Sequence, residues 1–229
     1  MKIIFLNAWH GKQKEELEAF ILEHRETTDI FCFQEANQNL AKITDEILLD
    51  FFQAISGTKK SSEEGFNFKN KTYVRKGVKI EDSGVLLDGV EGAGLAFWTS
   101  LDFKGRKILL VNVHGESRPG NKLDTEARIF QSQEIIDFLE EKEGLKIVGG
   151  DFNLFPETQS VKLFAQNGYR NLINDFKIDT TRNELAWKLY PDKQLWADYT
   201  FVSAEVGVKS FTVPKNTVSD HLPMILEFA

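Results

Sequence analysis

Six short runs of the chain are apolar at odd and even positions alike: residues 2–8, 29–34, 106–113, 145–150, 199–203 and 223–228, all rich in Ile, Val, Leu and Phe. A strand that is apolar on both parities is covered on both faces. Between these runs the period lengthens to that of a helix. Leu17, Phe20, Ile21 and His24 form one stripe over residues 12–26, which makes His24 a packed helix residue rather than a ligand. Leu40, Ile43, Ile47 and Phe51 form another over 37–55, and a third helix follows the Asp124-Thr125 capping signal to residue 142. Hairpins between 66 and 99 and a polar loop over 56–65 complete the pattern. Helices covering both faces of such sheets predict a layered α/β fold. Without a repeat, a low-complexity tract or a break in composition, the expectation is one domain over residues 1–229.

Composition agrees with a packed globule: 41% of the 229 residues are hydrophobic, 19 of them Phe. The opening run Met1 to Leu6 stops at Asn7, short of the roughly 7–15 apolar residues a signal peptide needs. No stretch approaches the ~20 apolar residues of a membrane span. The single cysteine, Cys32, excludes an internal disulfide and fits a reducing cytoplasm, the expected location. A net charge of −7 argues against a non-specific grip on nucleic acid through a basic surface. The most basic stretch is Lys69, Lys71, Arg75, Lys76 and Lys79; it reads either as a solvated strand face or as a patch that steers substrate.

Chemistry enters at the strand ends. Ile3 and Phe5 lead to Asn7, and Phe31 and Phe33 to Glu35; Ile108 and Leu110 lead to Asn112 and His114. The run from Leu145 ends in Gly149-Gly150-Asp151-Phe152-Asn153, Asp198 precedes Tyr199, and Ser219-Asp220-His221 precedes the last strand. Ligands of α/β sheets bind at such ends. Clustered carboxylates repel, so they need a cation or a raised pKa. Oxygen ligands suit a hard divalent ion, Mg²⁺ or Mn²⁺. Zinc fits less well, because there is one Cys and no close pair of His at helical spacing. A Gly-x-x-x-x-Gly-Lys-Ser/Thr phosphate loop is also absent.

Those motifs, in that order, resemble the endonuclease/exonuclease/phosphatase (deoxyribonuclease I-like) superfamily, across positions 7 to 221. The resemblance implies a four-layer α/β sandwich, two packed mixed β-sheets flanked by helices. It implies that Glu35 binds Mg²⁺, with Asn7 and Asp220 at or near the metal. It places His221 on the scissile phosphate, held by Asp198 as a carboxylate holds a triad imidazole. Asp151, with Asn153 beside it, would orient or deprotonate the attacking water, and His114 would bind a phosphoryl oxygen. Whether Asp151 or His221 is the general base stays open at this point.

The chain departs from its better-known relatives at Asp179-Thr180-Thr181-Arg182-Asn183, followed by Trp187 and Tyr190, and resembles a compact branch. Arg182 and Arg118 each read as a substrate-phosphate ligand or as a surface ion pair, and Arg128 as structural. The expected activity is Mg²⁺-dependent hydrolysis of a phosphodiester or phosphomonoester by direct water attack, on nucleic acid or a small phosphorylated molecule. The rival is a catalytically silent member that binds a phosphorylated ligand or a partner. Its mark would be loss of Glu35, Asp151, Asn153, Asp220 or His221, and none is lost.

Overall fold

A computed structural model describes residues 1–60, 67–189 and 193–229. Along the first half run β1 (Lys2–Asn7), α1 (Lys14–His24), β2 (Ile30–Gln34), α2 (Gln38–Leu48), β3 (Phe52–Lys60) and β4 (Asn67–Arg75). Next come β5 (Lys79–Leu86), β6 (Leu95–Phe103), β7 (Arg106–His114), α3 (Glu126–Glu140) and β8 (Leu145–Asp151). The chain finishes with α4 (Gln159–Gln166), β9 (Arg170–Asn171), α5 (Leu172–Asp175), α6 (Glu184–Leu189), β10 (Asp198–Val202), β11 (Val208–Thr212) and β12 (Met224–Phe228). Two mixed six-stranded sheets result, ordered β11-β12-β1-β2-β4-β3 and β5-β6-β7-β8-β10-β9, with helices outside them.

Each sheet has one parallel pair near its middle, β1 with β2 and β7 with β8. Their residues are apolar on both parities because each strand is covered by the other sheet on one face and by helices on the other. Phe5 lies against Gly149 across the sheets: a Cβ on Gly149 would stand 2.6 Å from Phe5 Cζ. A seam of amides crosses the same interface. Gln34 Nε2 donates to Asn112 Oδ1 at 2.6 Å, Asn70 Nδ2 to the Asn112 carbonyl at 2.8 Å, and Asn112 Nδ2 to the Phe33 carbonyl at 3.3 Å. Gln34 Oε1 and Asn70 Oδ1 find no partner among the described residues.

The six strands read from sequence lie within two residues of their places. The second helix does not: it stops at Leu48, and Phe52 starts a strand paired with β4 along nine positions. Helical spacing selected Phe51, which is 36% exposed, whereas Phe52 is buried against Phe31. The polar loop is accordingly strand through Lys60, and its remainder lies outside the described residues. Of the hairpins expected between 66 and 99, one forms, between β5 and β6; β4 pairs back on the unexpected β3, and β4 and β5 fall in different sheets. Thr125 caps α3 as expected, accepting from the Arg128 amide, whereas Asp124 reaches across to cap α4, accepting from Gln159 and Ser160. His24 packs edge-on to Phe20 at 4.5 Å.

Candidate active site

Strand register brings the polar tips together. Asn7 stands opposite Gln34, His114 opposite Asp151, and Asp151 opposite Asp198. Glu35 is the first residue beyond β2, and an isolated bridge between Arg182 and His221 ties the last motif to the same edge. A cleft of about 360 Å³ opens there, and Glu35, His114, Arg118, Asp151, Asn153, Arg182, Asp220 and His221 all line it. Asn7 and Asp198 are buried and bonded to lining residues. The candidate site residues therefore meet at or against one cleft, whereas Asn112 lies in the seam between the sheets and Tyr190 outside the described residues. Close approach of the chain here requires Gly115, where a Cβ would stand 2.3 Å from the Phe152 carbonyl oxygen.

The polar contacts run as a chain. Asp198 accepts from His221 Nδ1 at 2.9 Å, and His221 Nε2 faces Asp151 Oδ2 at 3.7 Å. Asp151 Oδ2 also accepts from Asn7 Nδ2 at 3.0 Å and Asn153 Nδ2 at 3.2 Å, and Oδ1 from the Asn153 amide at 2.9 Å. Asn7 Nδ2 continues to Glu35 Oε1 at 3.2 Å. Burial pushes Asp151 up, but His221, Lys122, His114 and Arg182 outweigh it and hold the carboxyl at about 2. Burial opposes a charged His221, yet Asp198, Asp151 and Asp220 raise the ring to about 9. Burial also raises the Asp198 carboxyl, so that pair shares one proton, which the ring holds.

Two expected residues have unexpected company. Asp220 Oδ2 accepts from Arg182 Nη2 at 2.8 Å, so its charge is already balanced within the protein. The same pair settles Arg182 as a buried cleft residue, 4% exposed, rather than a surface ion pair. His114 lines the cleft and is buried, and its Nδ1 has no hydrogen-bond partner among the described residues.

Sequence reasoning missed Lys122 and His10. Lys122 is 3% exposed and donates to Asn153 Oδ1 at 2.7 Å, and burial lowers its ammonium to about 8. It sits in a loop without period, so no pattern flagged it. His10, three residues past Asn7, brings Nε2 to 3.2 Å from Glu35 Oε2. Arg128 is structural, buried beneath that loop and donating to the carbonyls of Glu116 at 2.9 Å, Pro119 at 3.0 Å and Leu123.

A divalent ion suits these donors. Asp151, Asp198 and His221 each place a ligand atom within 4.8 Å of the others, but Asp198 and His221 are already hydrogen-bonded to each other, and Asp151 accepts from Asn7 and Asn153. Glu35 Oε2 is buried and makes no hydrogen bond, and an ionised oxygen in that state calls for a cation. Among the described residues no helix is long and apolar enough to cross a membrane.

No curated protein matches the chain in sequence. Solved structures share the fold at low identity. An endonuclease/exonuclease/phosphatase from Bacteroides vulgatus is 18% identical with a TM-score of 0.80, the match covering 100% of this chain and 98% of that one. A mannosyl-6-phosphatase from Bacteroides thetaiotaomicron is 17% identical with a TM-score of 0.77, covering 100% and 99%. The human Nocturnin catalytic domain with bound sulfate is 20% identical with a TM-score of 0.73, covering 100% and 93%. The model of the Endonuclease/Exonuclease/phosphatase family matches residues 4–221, from the first strand to the histidine that closes the cleft, and it is to this family that the chain belongs.

Proposed function

We propose that the protein is a divalent-metal-dependent phosphoesterase that hydrolyses a small phosphorylated molecule, a monoester or diester, by direct attack of water. The observation that carries this reading is the unbroken run of contacts from Asp198 through His221, Asp151 and Asn7 to Glu35 at one cleft. A divalent ion held by Glu35, with Asn7 and Asp220 nearby, would supply charge withdrawal from the phosphoryl group. Asp151, fixed by three donors and kept ionised, orients the attacking water and accepts its proton. His221, kept cationic by Asp198, donates to the phosphoryl oxygens and the leaving group. His114 and Arg182 bind non-bridging oxygens, Arg182 aimed by Asp220, and Arg118 stands at the rim.

The choice of a small substrate follows from the surface. Three of the five residues of the basic stretch are engaged within the fold, Lys71 with Asp45 at 2.6 Å, Arg75 with the Thr28 carbonyl at 2.9 Å and Lys76 with that of Asp50 at 2.9 Å, while Lys69 and Lys79 are exposed. With a net charge of −7 and a 360 Å³ cleft, there is little to track a nucleic-acid backbone. A fold neighbour named as a mannosyl-6-phosphatase accords with this. The catalytically silent alternative is disfavoured by an intact and assembled site.

The test is a panel of sugar phosphates, nucleotides, inositol phosphates, plasmid DNA and single-stranded RNA, with Mg²⁺ or Mn²⁺ and Asp151→Asn as the blank. Hydrolysis confined to the small esters and absent from the blank supports the proposal. Preferential cleavage of DNA or RNA would overturn the substrate assignment, and equal rates in the blank would overturn the site.

A further inference from the structure

We infer that His10 supplies a ring nitrogen to the ion at Glu35, giving the site a preference for Mn²⁺ over Mg²⁺ that an oxygen-only set would lack. This rests on the reading above that Glu35 carries the ion.

The backbone goes to some length to place this ring. Trp9, His10 and Gly11 follow one another in the left-handed region at φ 47°, 56° and 72°, and Glu35 joins them at 55°. Non-glycine residues rarely adopt that conformation and cluster at functional sites when they do. The turn is held by the Trp9 amide on Asn7 Oδ1 at 3.1 Å, the Gly11 amide on the Ala8 carbonyl at 2.8 Å, and Asn39 Nδ2 on the His10 carbonyl at 2.9 Å. Its product is an imidazole laid along Glu35.

His10 Nδ1 is 3.2 Å from the Glu35 carbonyl oxygen. A carbonyl only accepts, so Nδ1 carries the proton, and in the neutral ring Nε2 bears the lone pair. Metal-binding imidazoles are fixed in this way, with the second nitrogen donating to a carbonyl or carboxylate. Nε2 then stands 3.2 Å from Glu35 Oε2, yet Oε2 makes no hydrogen bond, because the ring nitrogen does not aim at it. Two potential ligand atoms thus stand side by side, and no hydrogen bond joins them. Neighbouring ligands of an octahedral ion at about 2.1 Å lie about 3.0 Å apart. The side chain is 36% exposed, so an ion reaches the ring from solvent, and its neighbours Trp9 and Glu35 line the cleft. Mg²⁺ takes oxygen ligands and water, whereas transition ions accept imidazole.

The experiment measures Mn²⁺ and Mg²⁺ binding by titration calorimetry on the intact chain, its His10→Ala and His10→Asn variants, and Glu35→Gln. Asn tolerates the left-handed backbone, so His10→Asn separates loss of the ring from loss of the turn. Pulsed electron paramagnetic resonance on the Mn²⁺-loaded proteins reads directly bound nitrogen. The expected result is a nitrogen coupling in the wild type that both His10 variants lose. Mn²⁺ binding should weaken about tenfold or more while Mg²⁺ binding moves less than about threefold. Binding lost in Glu35→Gln, with coupling and preference unchanged in the His10 variants, overturns the His10 assignment alone. Binding unchanged in Glu35→Gln overturns the metal reading of the site and the His10 assignment with it.

Discussion

Arg128→Met tests how the cleft wall is built. Arg128 is 1% exposed and holds the 115–123 loop from beneath by donating to three carbonyls, those of Glu116, Pro119 and Leu123. Bonds from a charged donor contribute about 1.5–3 kcal/mol each, so three set an upper bound of about 4.5–9 kcal/mol. Two effects reduce it. The guanidinium is desolvated, with Nε lacking a partner among the described residues. Residues 117–121 are exposed, so part of the freed backbone returns to water. Met keeps the apolar stem, which leaves a net loss of about 2–3 kcal/mol. For a chain of this length that lowers Tm by about 4–12 °C. Differential scanning calorimetry reads the shift, and steady-state kinetics read its local consequence: the loop carries Arg118 and Lys122, so kcat/KM should fall about tenfold or more. Arg128→Lys, able to serve fewer of the carbonyls, should fall between. A Tm within about 1 °C of wild type together with unchanged kcat/KM would refute the claim that this arginine holds the loop.

Other outcomes follow from the same contacts. Asp198→Asn removes the carboxylate that orients and charges His221; kcat should drop about 10²–10⁴-fold with KM little changed, and a drop of less than tenfold in single-turnover rates would contradict the assignment. Chelation by EDTA should abolish turnover and added Mg²⁺ or Mn²⁺ restore it, which activity assays on the dialysed protein check. Gly149→Ala sets a methyl 2.6 Å from Phe5 Cζ, and urea denaturation should show a loss of about 1–3 kcal/mol from the overpacked sheet interface. Tyr73→Phe strips a hydroxyl bonded to Thr44 Oγ1 at 2.6 Å and Asp45 Oδ1 at 2.7 Å. It should cost about 1–2 kcal/mol in the same measurement and leave kcat unaltered.

What could be read from the sequence was whatever a short-range pattern encodes. The strands at Ile3, Phe31, Ile108, Ile147 and Phe201 are apolar on both parities because both faces are covered, and their polar tips stand out by contrast. Register then brings those tips to one edge. The 51–60 segment reads as helix and loop because Phe51 continues a helical stripe, while what makes Phe52 a strand residue is its pairing with Arg75, far beyond any short-range pattern. Lys122 and His10 were missed for a related reason. Each acts through a single long-range contact, to Asn153 and to Glu35, and neither contact leaves a period in the chain. The Arg182–Asp220 pair lay between those cases: both residues were singled out, but only the fold shows that one engages the other.

The amides between the sheets bear on a different property from stability. An interface made only of Ile, Val and Phe side chains offers many nearly equivalent alignments, and two such layers can shear past each other at little cost. Gln34, Asn70 and Asn112 admit only the alignment in which each finds its acceptor. Asn7 and Glu35 ride on one layer and His114 and Asp151 on the other, so this pin acts as the vernier of the cleft. An oilier replacement at Asn112 would take that acceptor from the Gln34 amide and let the two jaws drift out of alignment.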